Sequence, residues 1–455
     1  MIISLFFGLV GLLGVAYLWI GKNASNNLDT NEDYFLMGRK LTFFPLTLTL
    51  LATQLGGGSL IGAAEEAYYN GWNVLLYPLG VTLGLFTLGM GFGGKLRSLN
   101  ITTVAELFEK VYDSRTQRYI ASALSVACMF IILIAQSLAA RKFFVAIGLD
   151  NPLLFSGLWS ILIIYTVMGG LKAVVNTDIL QALFIAGALV LAYCFVDPAN
   201  IAPTETLPRL TPTREEIPWT AWVLMPLLFM LIEQDMGQRC FAAKNPRIIS
   251  FAAITAGIAL MLGSSIAIYF GILAKNYGVQ VPANSSLLIE SVKTLTNPTV
   301  STIFTVGIMM AVISTADSLL CSISSNLSCD FLENNKILAS QNVNISKGVT
   351  LLTGLLALAL SFYFDRVVSM LIVSYELSVC VLFVPIFAAV IIERPSWIAA
   401  YISMAIGAIG FALFHVIDCP FPKEVVTLIG SAIGFIVGIK IHRNIMYLNL
   451  YEKLE

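Results

Sequence analysis

Long apolar runs alternate with short polar stretches along the whole chain. Thirteen of these runs are long enough to cross a bilayer, because a helix of about 20 apolar residues spans the hydrocarbon core. They are predicted at about residues 2–21, 43–68, 73–94, 119–146, 151–168, 174–196, 219–239, 248–274, 299–326, 347–363, 367–392, 396–417 and 424–441. The pattern therefore predicts an all-α, polytopic membrane protein with about 13 transmembrane helices.

The predicted helix over 299–326 carries a stripe of small and hydroxyl side chains on one face. The stripe consists of Ala311, Ser314, Thr315, Ser318, Ser322 and Ser325. Such a stripe is typical either of close helix packing or of a hard-cation site, in which several oxygen atoms surround one ion. Asp317 on the same helix favours the ion site, because a carboxylate inside a membrane span usually marks an ion or proton path.

Three consecutive glycines, Gly56, Gly57 and Gly58, interrupt the predicted helix over 43–68. Each glycine weakens a helix interior by about 1 kcal/mol, and the run is longer than a close helix crossing requires. The run therefore favours a discontinuous helix whose free backbone groups bind a ligand near the middle of the bilayer. A close-packed crossing is the alternative.

Composition supports the membrane assignment and excludes several functions. The chain has 455 residues, of which 58% are hydrophobic and 12% charged, and its mean hydropathy is +0.85. A net charge of −1 does not indicate a nucleic-acid partner. The seven cysteines include no CxxC pair and the two histidines are far apart in sequence, so neither a metal framework nor the catalytic constellation of an enzyme is indicated.

The lysines and arginines predict the orientation in the membrane. If the N-terminus lies outside, 18 of the 26 basic residues fall on the inner side. The sequence thus predicts a multi-pass protein of the plasma (inner) membrane, with the N-terminus outside and the C-terminus in the cytoplasm.

Five sequence motifs occur in the order and spans of one transporter family. They are DYFLMGRKL at 33–41, GGGSLIG at 56–62, GGLKAVVNTDILQ at 169–181, EQDMGQRCFAAKNPR at 233–247 and AVISTADSLLCSISS at 311–325. Together they resemble the sodium:solute symporter family, whose members include proline permease and the bacterial galactose and sialic acid transporters. The Gly-Gln-Pro pattern of proline permease is missing beside Gln234, so proline specificity is not supported.

The resemblance implies a LeuT-type fold, a 5+5 inverted repeat in a single transporter domain that is functional as a monomer. Residues 1–42 would form an extra helix and an inner loop, and 393–455 would form two extra helices. The two repeats would cover 43–196 and 219–392. Each repeat would begin with a broken helix, over 43–68 and 219–239.

The resemblance also implies where ions bind. The family's central sodium site would be formed by the carbonyls of Ala52, Leu55 and Ala311 and the hydroxyls of Ser314 and Thr315. A second cation site, as in some members, would be formed by Asp178, Asp317 and Ser318. Asp317 stands where those members have a hydroxyl, so the sequence leaves open whether one or two sodium ions are carried. Sodium is the only cofactor implied.

The substrate would lie beside the glycines. Its candidate ligands are Gln54, Gly57, Ser59, Gln136 and Gln234, each of which could instead form a hydrogen bond between helices.

Three further acids in apolar surroundings, Glu65, Glu66 and Glu376, have two interpretations. They could pair with Arg141 or Lys142 near the outer end or contact a water-filled vestibule, or they could bind protons or a substrate amine.

The sequence thus predicts a sodium-coupled symporter that imports a small organic solute by alternating access. A proton- or cation-coupled transporter of the same fold is the alternative, and a channel or a transport-like sensor is the rival from another class. The identity of the solute is left open.

Overall fold

The computed structural model describes residues 2–26, 28–197, 219–281, 285–332, 343–363, 367–393, 395–417 and 421–451. Residues 198–218, between the two predicted repeats, lie outside the described residues. The same holds for some charges that were counted for orientation, namely Arg209, Arg214, Lys336, Arg366, Arg394, Lys453 and the side chain of Lys142.

The described chain is helical almost throughout. Its helices are α1 Ile3–Ala24, α2 Asn31–Leu36, α3 Phe43–Gln54, α4 Ala63–Asn70, α5 Leu76–Thr87, α6 Gly93–Ser98, α7 Glu106–Tyr112, α8 Arg115–Ala146, α9 Pro152–Cys194, α10 Met225–Ile232, α11 Gln234–Ala242, α12 Pro246–Asn276, α13 Leu287–Leu295, α14 Pro298–Asn326, α15 Val343–Leu360, α16 Val367–Ile391, α17 Trp397–Phe414 and α18 Lys423–Tyr451. Four π turns adjoin them at Gly58–Gly62, Leu88–Phe92, Thr220–Leu224 and Leu327–Leu332.

Within the described residues, ten helices are long and apolar enough to cross a membrane. Two of them contain more than one predicted span: α9 covers 151–168 and 174–196, and Gly58–Ser98 covers the end of 43–68 and all of 73–94. The shorter apolar helices, α3 and Thr220–Ile232, belong to the two spans that are broken. When α9 is counted as two spans and each broken span is counted as one, the described helices correspond to all thirteen predicted spans.

A sharp kink at Gly170 divides α9. A straight helix of its 43 residues would be about 65 Å long, twice the thickness of the hydrocarbon core. Gly170 has φ 52° and ψ −143°, and a side chain there would overlap Tyr34. The Tyr34 hydroxyl donates to the carbonyls of Thr166 and Val167, at 3.2 and 3.1 Å. The Tyr34 hydroxyl thus binds the backbone carbonyls next to the kink.

Both predicted helix breaks are confirmed. The first helix ends at Gln54, Leu55 leaves the helical conformation with φ −79° and ψ 46°, and a π turn at Gly58–Gly62 leads into α4. The second break is at Glu233, which is extended, with φ −70° and ψ 134°, between α10 and α11.

The helix with the hydroxyl stripe, α14, lies at the centre of the molecule. Nearly all its residues are buried, and it packs against α9, α8, α3 and α11. In contrast, α1, α17 and α18 expose large apolar side chains such as Leu12, Ile409 and Ile433. Apolar side chains on the outside of a helical bundle suit contact with lipid tails.

One end of the molecule is closed by contacts between segments far apart in sequence. We call it the basic end, and it is formed by residues 37–41, 97–118 and 241–247. Leu41 and Ala243 form an isolated β-bridge. The Leu41 N–H donates to the Ala242 carbonyl at 3.0 Å, and the Lys244 N–H donates to the Leu41 carbonyl at 2.9 Å. Arg39 donates to the Phe241 and Ile101 carbonyls, and Arg97 donates to the Ala243 carbonyl at 2.7 Å.

A second group of contacts at the basic end joins α7, α8 and the π turn that follows α14. Arg118 donates to Asp330 and to Glu109, both at 2.8 Å. Asp330 also accepts from Thr103 at 2.7 Å and from Ser122 at 2.6 Å. The guanidinium of Arg118 holds the pKa of the Glu109 carboxyl, on the surface helix α7, below its usual range.

Candidate functional site

Four of the five predicted sodium ligands meet where the first broken helix crosses α14. The Ser314 hydroxyl donates to the Ala52 carbonyl at 2.9 Å and to the Ala311 carbonyl at 3.0 Å. The Thr315 hydroxyl lies 3.2 Å from the Ala311 carbonyl and 3.0 Å from the carbonyl of Thr53. Ser314, Ala52 and Ala311 are almost completely buried. The result is a group of neutral oxygens shielded from water.

The fifth predicted ligand, Leu55, lies at the break itself. The neighbouring Gly56 is in contact with Thr315, because a Cβ added to Gly56 would overlap the Thr315 hydroxyl. Only glycine allows the helix break to approach α14 so closely. The carbonyl of Thr53, which was not predicted as a ligand, accepts the hydrogen bond from Thr315 at 3.0 Å.

Two of the residues predicted for a second cation site, Asp178 and Ser318, flank a buried arginine. Arg239 has no exposed surface. Its guanidinium lies 3.3 Å from the Asp178 carboxylate and donates to the Ser318 hydroxyl at 2.5 Å and to the Thr49 hydroxyl at 2.9 Å. Thr49 in turn donates to Asp178. Sequence reasoning counted Arg239 among the charges of an inner loop, and the structure corrects this.

The third of these residues, Asp317, faces α9 instead of Arg239. Its carboxylate accepts a hydrogen bond from Tyr165 and another from Thr177 at 3.4 Å. The Ser318 hydroxyl donates to the Ser314 carbonyl at 2.8 Å and lies 3.1 Å from the Thr53 hydroxyl. Ser318 therefore connects the predicted second cation site to the candidate sodium site. The carboxylates of Asp178 and Asp317, however, bind different partners.

A small cavity opens beside the first helix break, with a volume of about 50 Å³. Three predicted substrate ligands, Gln54, Ser59 and Gln136, line it, together with Gly56 and Gly58. Its remaining walls are formed by Thr53, Tyr77, Val81, Ile132, Pro226, Phe229, Met230, Glu233, Asp235, Thr315, Leu319 and Tyr375. Thr315 thus contacts both the cavity and the carbonyls of the candidate sodium site.

The other two predicted substrate ligands are placed differently. Gly57 packs next to Gln136, since a Cβ added to Gly57 would lie 3.6 Å from the amide oxygen of Gln136. Gln234 is fully buried and does not line the cavity. Its side chain accepts from the Val104 N–H at 2.7 Å and donates to the Thr102 carbonyl at 3.3 Å. It therefore holds the basic end against α11.

Glu233 and Asp235, on either side of Gln234, line the cavity and were missed as site residues. Every residue of the short helix α11 is buried, although its sequence QDMGQRCFA is polar enough for a surface helix. Gln238 on this helix donates to the Phe35 carbonyl and accepts from Ser322, both at 2.8 Å. The signal available in the sequence was the density of polar residues inside a membrane span.

The three further acids of the sequence analysis lie outside the cavity lining. Glu66 accepts a hydrogen bond from Asn70 at 3.1 Å, and Glu65 also has an interaction partner. Glu376 is 4% exposed and forms an ion pair with Lys423 at 3.0 Å. Lys423 is thus a partner of Glu376 that sequence reasoning did not consider.

Comparison with known proteins decides the family. The model of the sodium:solute symporter family matches residues 34–407, most of the chain. The chain belongs to the sodium:solute symporter family. The resemblance carried by the five motifs is thereby confirmed, and the family is one of transporters.

Family relatives differ in the solutes for which they are named. The chain is 26% identical over 251 residues to sodium/glucose cotransporter 4 of Danio rerio, covering 48% of this chain and 38% of the relative. It is 29% identical over 181 residues to high affinity choline transporter 1 of Mus musculus, covering 39% and 31%. It is 26% identical over 318 residues to the sodium/myo-inositol cotransporter of Homo sapiens, covering 60% of this chain and 43% of the relative. The chain spans less than half the length of these relatives.

Solved structures confirm the LeuT-type fold. A sodium-coupled sialic acid symporter in a substrate-bound, outward-open state has a TM-score of 0.76 at 18% identity, covering 95% of this chain and 96% of that one. Mhp1, a nucleobase-cation-symport-1 family transporter, has a TM-score of 0.58 at 14% identity, covering 91% and 95%. At these identities the likeness concerns the fold alone.

Proposed function

We propose that this protein is a sodium-coupled symporter that imports a small organic solute by alternating access. The observation that carries the proposal is the meeting of the Ser314 and Thr315 hydroxyls with the carbonyls of Ala52, Thr53 and Ala311 at a helix break. Hard cations are bound by such oxygen groups, and broken helices supply them in transporters of this kind. Family membership supports the same function.

The ion would bind by replacing hydrogen bonds that the oxygens now make with one another. Each hydroxyl would turn its proton away and offer a lone pair to sodium. Because the ligands are neutral, binding would be weak enough for the ion to leave on the other side. Thr315 and Gly56 also border the cavity, so sodium and solute would share a wall and each would raise the affinity for the other.

We infer that one sodium ion is carried in each cycle. The guanidinium of Arg239 already lies between Asp178 and Ser318, two of the three residues of the tentative second site. A guanidinium remains charged at any physiological pH, so it would repel a second cation at this position.

For orientation and assembly, the proposal keeps the expectations drawn from the sequence. The distribution of lysines and arginines favours an N-terminus outside and a C-terminus in the cytoplasm of the plasma (inner) membrane. The basic end would then face the cytoplasm. A monomer would suffice, since both helix breaks and α14 come from one chain.

A specific observation favours proton coupling as the second candidate. Glu233, Asp235 and Asp317 are buried carboxyls near the candidate sodium site, and buried carboxyls are typical of proton paths. Proton coupling would make uptake follow a pH gradient in the absence of sodium.

The experiment is uptake by proteoliposomes that contain the full chain. A panel of radiolabelled amines, amino acids, polyols and carboxylates is offered under an inward sodium gradient and under an equal potassium gradient. We expect one solute class to accumulate with sodium only, and Ser314→Ala and Thr315→Ala to raise the half-saturating sodium concentration about tenfold or more, a loss of about 1.4 kcal/mol.

Ser324→Ala is the matched control. Ser324 is buried on the same helix, and its hydroxyl donates to the Leu320 carbonyl of that helix at 2.6 Å. Its removal should leave the sodium dependence unchanged. Uptake that is driven equally by potassium, or by a pH gradient alone, would overturn sodium coupling.

A further inference from the structure

The cavity beside the first helix break is acidic. Its charged lining residues within the described chain are Glu233 and Asp235, and no basic side chain lines it there. Glu233 is 8% exposed and Asp235 1%, and the two residues line the same cavity of about 50 Å³. Two carboxyls this close and this far from water require a proton or a cation between them.

Two oxygen acceptors in the cavity wall have no hydrogen-bond partner among the described residues. They are Oδ1 of Asp235 and Oε1 of Gln136, and both residues are at least nine-tenths buried. Buried acceptors without partners are costly. The nearby base, Arg239, does not relieve them, because its guanidinium donates to the backbone carbonyl of Asp235 and to the side chains around Asp178. Both acceptors are therefore open to a donor from a bound solute.

Aromatic rings form another part of the wall. The rings of Phe229 and Tyr375 are 4.5 Å apart, centroid to centroid, at an angle of 47°, and the side chain of Tyr77 is hydrogen-bonded to Tyr375. Aromatic faces attract cations, and quaternary ammonium groups in particular are bound in aromatic surroundings. Val81, Ile132 and Leu319 add apolar surface for alkyl groups.

We propose that the transported solute is a small organic cation whose positively charged nitrogen binds between Glu233, Asp235 and these rings. The inference rests on the proposed transport function. An anionic solute would be repelled by the two carboxylates. A neutral polyol would donate to the free acceptors but would leave the buried negative charge uncompensated, whereas an ammonium group does both.

The test uses direct binding, so that it does not depend on transport. The full chain is purified into lipid nanodiscs in saturating sodium, and its thermal stability is measured with choline, ethanolamine, myo-inositol or 3,3-dimethyl-1-butanol. The last compound is a neutral carbon analogue of choline with nearly the same shape. We expect at least one of the two ammonium compounds to raise the melting temperature by mass action, and both neutral compounds to have at least about tenfold lower affinity.

Variants assign the effect to the cavity. Glu233→Gln and Asp235→Asn should each weaken binding of the ammonium probe about tenfold or more. Glu290→Gln should not, because Glu290 pairs with Lys293 on α13 and lies outside the cavity lining. Tyr375→Phe should keep the affinity because the ring remains. Tyr375→Leu should lower the affinity for the ammonium probe but not for 3,3-dimethyl-1-butanol.

The outcomes separate this inference from the proposed function. Sodium binding in the same nanodiscs, with stabilisation by myo-inositol alone or by none of the probes, would overturn the cationic solute and leave sodium coupling standing. Ammonium binding that is unaffected by Glu233→Gln and Asp235→Asn would also overturn it. Ammonium binding that is the same in sodium and in potassium would uphold the solute class and contradict the coupling.

Discussion

At the scale of residues, the candidate site combines neutral oxygens with a buried ion pair. Ser314 and Thr315 supply the hydroxyls next to the helix break, and Arg239 pairs with Asp178 one helical turn further along. Removal of one partner of a buried pair leaves the other charge uncompensated, which typically costs about 3–5 kcal/mol. The cost disappears if a cation can take the vacated position.

This reasoning gives a prediction for Arg239→Gln. The substitution frees Asp178 and Ser318, so a second sodium ion should bind there and the sodium dependence should become steeper, with a Hill coefficient rising from about one toward two. The double variant Arg239→Gln with Asp178→Asn removes both charges and should return the coefficient to about one. The measurement is solute uptake or thermal stability as a function of sodium concentration at constant ionic strength.

Two results would count against the single-sodium account. One is a Hill coefficient clearly above one for the unmodified protein. The other is an unchanged, non-cooperative sodium dependence in Arg239→Gln together with full stability, which would mean that the guanidinium does not stand in for an ion.

The sequence predicted the hydroxyl pair but not the role of Arg239. Ser314 and Thr315 were found because their spacing on one helix is a local property. Arg239 and Asp235 belong to the short polar helix α11, whose pattern resembles a surface helix, and Glu233 directly precedes it. Their burial depends on the packing of α11 against α3, α6 and α14. Gln234 was predicted at the substrate site from its neighbours, whereas its contacts with residues 102–104 are set by tertiary structure.

At the scale of elements, both helix breaks and all thirteen spans could be predicted. Apolar runs of bilayer length identify spans, and Gly56, Gly57 and Gly58 mark the first break because they weaken the helix locally. The second break lacks such a signal, since Glu233 is flanked by Ile232 and Gln234, and it was expected only through the family resemblance. The bounds of the two repeats stay a prediction.

The contacts of Arg118 at the basic end hold the π turn that follows α14 against α7 and α8. Because the Asp330 side chain has no exposed surface, Arg118→Gln should leave a buried carboxylate unpaired and cost about 3–5 kcal/mol. We expect this end to open more often, so that Cys329, now 3% exposed, reacts faster with a maleimide, while Cys128 in the middle of α8 does not. Site-resolved mass spectrometry measures both rates.

Arg115→Gln serves as the control for Arg118→Gln. Arg115 also pairs with Glu109, but its side chain is 70% exposed, and exposed pairs contribute little. Equal reaction rates at Cys329 in both variants would contradict the role of Arg118.

The lowered pKa of Glu109 predicts how these contacts depend on pH. A carboxyl whose pKa is lower in the folded state stabilises the protein above its unfolded pKa, and this contribution is lost as the pH falls through the lowered value. The difference in melting temperature between the unmodified protein and Glu109→Gln should therefore be constant from about pH 8 to about pH 6 and shrink only in acid, below the usual range of glutamate. A difference that already shrinks near neutral pH would contradict the ion pair with Arg118.

At the scale of the whole molecule, the account depends on which end faces the cytoplasm. The charge bias predicts that residues 95–118 lie inside and 276–297 outside. In a background where Cys194 and Cys419 are replaced by serine, a cysteine at Ser285 should react with an impermeant thiol reagent in intact cells. A cysteine at Ser114 should react only after the membrane is opened, and the reverse pattern would invert the proposed direction of transport.

Equilibrium binding of radioactive sodium to the purified protein tests the central claim most directly, since it requires neither a known solute nor a gradient. The account predicts saturable binding of one ion per chain that unlabelled sodium displaces and potassium does not. Binding should be lost when Ser314 and Thr315 are both replaced by alanine and retained in Ser324→Ala. Absence of saturable binding to the unmodified protein, or equal binding by the double variant, would contradict sodium coupling through α14.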